Sequence, residues 1–108
     1  MTSERRIDAA LDVGRAHRET LRWVLLTALW HSRPYGARED LLSLCAADVG
    51  VSATLDEVRR ELGWLESHGL ARLLKERPVW DATLTALGED VYDYRAEAPA
   101  GLARPPRW

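Results

Sequence analysis

The chain has a single cysteine, Cys45, among its 108 residues. One thiol excludes an intrachain disulfide and fits a reducing compartment. Long apolar runs are also missing: "LRWVLLTALW" (21–30) falls short of the ~20 residues that a spanning helix needs. Met1 is followed by polar and charged residues rather than a secretory signal, so the sequence points to the cytoplasm. An excess of basic charge, the usual mark of a nucleic-acid-binding domain, is absent too. Lys and Arg number 15 against 17 Asp and Glu, a net charge of −2. That balance counts against strong DNA binding by charge alone, although local distribution matters more than the sum.

Chemistry-bearing motifs are equally scarce. The chain carries no Gly-rich phosphate loop and no nucleophile motif. His17, His31 and His68 lack ligand spacing with one another or with Cys45, which argues against a metal site. The acids are spread along solvated faces without forming a general acid/base pair. Nothing supports an enzyme, a cofactor or a small-molecule ligand. Cys45, on an apolar helical face, reads as inert core, and His68 at a helix end suits the dipole there.

Hydrophobic residues make up 46% of the chain, enough for one modest core without staples. Residues 3–18 place Ile7, Ala10, Leu11 and Gly14 at helical spacing, with Gly14 as a weak point. Residues 19–32 predict the strongest helix. One side carries Leu21, Val24, Leu25 and Ala28, the other Trp23, Leu26 and Trp30. A helix apolar on both sides must be covered on both sides, here by the N-terminal helix or a second subunit. Pro34 and Gly36 then break it. A third helix is expected over 38–48 with Leu41, Leu44 and Cys45 inward. A turn at 49–53 leads to a fourth helix over 54–68. Thr54 and Glu57 have capping-box spacing there, and Leu55, Val58, Leu62 and Leu65 form its inward stripe.

In "LGWLESHGLARLL" (62–74) Gly69 sits where a helix C′ residue belongs, with a Leu65–Leu70 contact available to complete the stop. Strands are expected over 70–75 and 78–83 as a small hairpin. A helix follows over 84–97 with Thr85 as N-cap, and then a Pro- and Gly-containing tail that reads as extended and partly mobile. The fold class is mainly α with a small β-hairpin: a winged helix-turn-helix with an extra N-terminal helix. It divides into an N-terminal extension (1–18), a winged-helix domain (19–97) and the tail (98–108).

Three motifs in order sharpen this: V-x-x-x-L-x-W-L-x-x-x-G-L at 58–70, V-x-x-A-T-L-T-x-x-G-x-D-V at 79–91 and P-x-G-L-x-R-P at 99–105. With them, residues 19–106 resemble a family of small winged-helix proteins encoded in Mu-like prophages. The L-T-x-x-G piece alone is common to many winged helices; the ordered set is more telling. The resemblance implies a phage-borne protein of the bacterial cytoplasm that binds DNA or regulates transcription. Residues 1–18 lie outside the family core, and the turn before Thr54 is slightly longer than the family's.

On this reading helix 54–68 enters the major groove and the wing reaches the adjacent backbone. Thr54, Asp56, Arg59 and Arg60 are the candidate recognition-helix residues. Arg59 and Arg60 can contact phosphate or guanine, or instead pair with acids at 56, 57 and 61. Asp56 would repel phosphate but could accept from cytosine N4. Lys75 and Arg77 flank Glu76 at the wing tip and suit phosphate contact. Segment 54–77 is nevertheless neutral, because Asp56, Glu57, Glu61, Glu66 and Glu76 balance Arg59, Arg60, Arg72, Lys75 and Arg77. Trp64, on the outer half of its helix, is expected to pack on the N-terminal segment or a second subunit rather than on bases. Trp23, Leu26, Trp30 and Trp64 therefore form the expected homodimer or partner interface, while Trp80 caps the core. Two functions compete: a DNA-binding regulator working as a homodimer on double-stranded DNA, and a protein-interaction module on the same fold with no DNA role.

Overall fold

A computed structural model describes the backbone of residues 2–107 and the side chains of residues 12–107. Within them the elements run α1 (Thr2–His31), β1 (Ala37–Arg38), α2 (Glu39–Asp48), α3 (Leu55–Ser67), β2 (Ala71–Leu74), β3 (Asp81–Leu84) and α4 (Ala86–Tyr92). The strands form one antiparallel sheet in the order β1-β3-β2. The protein is thus mainly helical with a small three-stranded sheet, an arrangement compatible with a winged helix.

The two N-terminal helices expected from the sequence are one. Gly14 does not interrupt α1, since a lone glycine costs only about 1 kcal/mol against alanine and its neighbours favour helix. The stripe Ile7, Ala10 and Leu11 lies outside the residues whose side chains are described. Leu21, Leu25, Leu26 and Leu29 of α1 are all buried. The second apolar side is covered from within the chain: Tyr92 of α4 stacks on Trp23 and Trp30, with ring centroids 5.1 and 4.5 Å apart. Leu26 is fully buried and has no surface left for a second subunit.

In α2 the expected phase is reversed. Glu39, Leu42 and Ala46 face the core, whereas Leu41 and Leu44 are 51% and 64% exposed and Cys45 is half-buried. The cause is Glu39, whose carboxylate is held inside by Arg59 and by the Trp80 N–H. With position 39 fixed inward, helical spacing carries 42 and 46 inward with it. On α3, likewise, Leu55 is 45% exposed and the charged Glu61 is buried beside Val58, Leu62 and Leu65.

The α3 stop follows the sequence closely. Leu70 N–H donates to Leu65 O at 2.9 Å and Gly69 N–H to Glu66 O at 3.0 Å, with Gly69 at φ 74°. These are the paired bonds of a Schellman ending, and Leu65 and Leu70 meet in the core. The hairpin is narrower than expected, with residues 75–80 connecting its strands. Its alternation puts Ala71 and Leu73 inward and Arg72 and Leu74 outward. Strand β1 was not foreseen: two residues carry no readable period, and only their pairing with β3, Ala37 with Ala82 and Arg38 with Asp81, reveals them.

Helix α4 is shorter than expected. The Thr85 hydroxyl caps it by accepting from Gly88 N–H at 3.0 Å, and donates to Gly69 O at 2.6 Å. A Cβ at Gly88 would run into the Leu70 carbonyl oxygen, which explains the glycine of the L-T-x-x-G piece. The C-terminal segment is not loose. Leu102 is buried, Ala103 N–H reaches Glu19 O at 3.2 Å, and the Arg104 guanidinium donates to Val91 O and Ala96 O at 2.9 and 2.8 Å. The bond to Val91 O reaches a carbonyl in the last turn of α4, where helical partners run out.

Candidate functional site

Helix α3 is built from its cap upward. Thr54 Oγ1 accepts from Glu57 N–H at 3.1 Å and the Glu57 carboxylate accepts from Thr54 N–H at 3.0 Å, so the expected capping box is present. The Thr54 amide holds the Glu57 carboxyl below its usual range. Thr54 is therefore committed through its side chain to the cap.

Inward, α3 is held by two ion pairs. Glu61 is buried and receives Arg22 Nε of α1 at 2.7 Å. The same guanidinium donates to Gly101 O at 2.8 Å and lies 4.4 Å from the centre of the Trp64 ring. Trp64 also stacks on His68, with centroids 3.9 Å apart. Among the described residues its cover comes from Arg22, His68 and the C-terminal segment at Gly101. Arg59 makes the second pair, a two-pronged contact to Glu39 at 2.5 and 2.8 Å, and donates to Pro78 O at 2.8 Å. The Arg59 hydrogen bonds, opposed by burial and helped by Trp80 N–H, hold the Glu39 carboxyl below its usual range, and Glu39 raises Arg59 in turn. Arg59 thus ties α3 to α2 and to the hairpin. The sequence suggested acids at 56, 57 and 61 as its partners. The actual partner is twenty residues upstream, and only the fold brings it near.

Outward, Asp56, Arg60 and Ser67 are exposed along one side of α3. Gly63 shares that side, and nothing lies within 4 Å of where its Cβ would stand. The stripe is open enough for another backbone to approach closely. Beside it stands the hairpin. Lys75 is drawn back, with its ammonium 3.3 Å from Glu66 and 4.9 Å from the Trp80 ring centre. Arg59 lies 4.5 Å from the same ring. Arg72 and Arg77 are exposed, and among the described residues neither they nor Arg60 enters an ion pair. Of the six recognition-helix and wing candidates, Arg60 and Arg77 remain available cations, Asp56 an available acid, and Thr54, Arg59 and Lys75 are engaged within the chain. Arg72, not singled out from the sequence, joins the available set because strand alternation turns it outward.

Among the described residues no cluster of His, Cys, Asp and Glu is arranged to hold a metal ion, and no helix is long and apolar enough to cross a membrane. No protein-family model matches the chain, and no solved structure matches it. Over 69 residues it is 35% identical to gp26 of Escherichia phage Mu, described as an uncharacterized protein; the match spans 64% of this chain and 71% of the Mu protein. With that identity over more than two thirds of the phage protein, the chain belongs to the family of phage Mu gp26.

Proposed function

We propose that this is a phage-derived winged-helix protein that binds double-stranded DNA and acts as a small regulator in the bacterial host. The observation that carries the reading is the juxtaposition of the capped, solvent-facing side of α3 with the β2–β3 hairpin. Arg60 stands on the first, and Arg72 and Arg77 on the second. A helix of this kind fits the major groove, and hairpin cations suit neighbouring phosphates. Arg60 is the base- or phosphate-reading residue, the open surface at Gly63 allows close approach, and Arg72 and Arg77 act on the backbone. Arg59 shapes this surface from behind and does not touch DNA.

A second reading has its own support. The cations withdrawn into Glu39 and Glu66, together with Asp56 and Glu76 beside the surface, favour a protein-interaction module. Fluorescence anisotropy with a labelled duplex of mixed sequence at low salt separates the two. Binding that is weakened at least tenfold by Arg60→Glu or Arg77→Glu supports the DNA reading. No binding by the unaltered protein at low salt favours the interaction module.

A further inference from the structure

The C-terminal end of α2 borders a groove along α1. Trp23, Val24, Thr27, Ala28 and His31 of α1, with Cys45 and Val49, enclose about 310 Å³. Val49, on the α2 side of the groove, is 63% exposed. Thr27 turns its hydroxyl onto Trp23 O at 2.8 Å, which leaves its methyl for the groove. The same face of α1 continues toward the N-terminus at helical spacing through Thr20, Ala16 and Val13, all uncharged, with Val13 70% exposed. Before Leu21 no described side chain of α1 is buried. Residues 12–16 of this helix therefore project as an arm. The Cα radius of gyration, 14.5 Å, exceeds the ~13 Å expected of a globule this size.

We propose that a second copy of this chain covers this face, by an antiparallel two-fold crossing of the α1 helices near Thr20. Projection and concavity lie on either side of Thr20 on one helix face. A two-fold there places each arm, through Val13 and Ala16, in the other copy's groove, as a self-complementary interface requires. Charge fits the same pairing. Arg18 just past the arm and Asp48 at the end of α2 are exposed, and neither is in an ion pair among the described residues. Asp48 ends a helix with no basic residue in its last turn, an unfavourable place for an acid that an arginine would relieve. The His17–Ser52 O contact at 3.0 Å sets the segment just after α2 beside the middle of α1, at the level of the crossing. The surface keeps Trp23 of the Trp23/Leu26/Trp30 interface expected from the sequence but not Leu26, which is fully buried. It does not depend on DNA binding.

Sedimentation equilibrium without nucleic acid tests it. A dimer is expected at roughly 100 µM. Val13→Glu and Val49→Glu, both at exposed positions that leave the monomer folded by circular dichroism, each weaken association at least tenfold. Arg18→Glu weakens it too, and adding Asp48→Arg restores it. Maleimide labelling of Cys45 slows as protein concentration rises. A monomer at that concentration overturns the proposal. So does a dimer indifferent to both glutamates, and a charge swap without recovery overturns the pairing of arm with α2.

Discussion

Arg59 and Arg60 are neighbours in sequence and stand in different physical situations. Arg59 is spent on Glu39 and Pro78, while Arg60 faces water. The two buried carboxylates show a similar asymmetry. Glu61 depends on Arg22, whose side chain is 13% exposed, so removal of that arginine strands a charge that is itself 2% exposed. Breaking a buried pair from one side costs about 3–5 kcal/mol. Arg22→Ala is therefore expected to lower the urea midpoint steeply, and additional loss of Glu61 as Gln to recover part of it. Glu39 gives a pH signature. Its folded carboxyl lies below its ordinary 4.5, so its stabilisation is fully present above that value and fades as pH falls through the folded one. Stability measured by urea from about pH 6 down to about pH 3 should fall, and fall less steeply in Glu39→Gln. The slope left in that variant belongs in part to Glu57, held low by the same physics at the cap.

At the scale of elements, local chemistry was legible and long-range chemistry was not. The Thr54–Glu57 box, the Gly69 stop and the Thr85 cap are written in a few adjacent residues, and each appears as its spacing implies. Thr54→Ala should cost about 1 kcal/mol, read as a lower denaturation midpoint with the fold intact by circular dichroism. The α2 phase failed because apolarity alone suggests Leu41 and Leu44 inward, whereas Glu39 at the start of α2 decides the rotation through its buried pairing with Arg59, twenty residues away. The C-terminal segment failed for a related reason. Its prolines and glycines announce irregular backbone, but the ties from Arg22 to Gly101 and from Arg104 to the end of α4 cannot be read from composition. Likewise, Trp23, Leu26 and Trp30 were legible as needing cover, while the covering residue, Tyr92, lay in a helix that offered no pattern to match. In the candidate site, helical period and strand alternation locate Asp56, Arg60 and Arg72, but only tertiary pairing separates them from Arg59 and Lys75.

At the scale of the whole molecule, a net charge of −2 must be reconciled with the polyanionic partner that we propose. The resolution lies in which charges are already neutralised inside the chain. Arg22, Arg59 and Lys75 are paired to Glu61, Glu39 and Glu66, so the proposed DNA-facing side is decided by Arg60, Arg72 and Arg77 against Asp56 and Glu76. Each phosphate neutralised releases counterions, and log K falls with log salt with a slope of about 0.9 per contact. Three exposed arginines per chain thus set a shallow dependence, a slope of about −2 to −3, with no room for the steep decline of a strongly basic domain. Arg60→Ala, Arg72→Ala and Arg77→Ala should each flatten it by about one where the arginine meets phosphate. An arginine that reads a base instead should weaken binding in a sequence-dependent way with little change in slope. Arg59→Ala is the control, with lower thermal stability and an unchanged slope. A slope indifferent to all three exposed arginines would place the DNA contact elsewhere on the molecule.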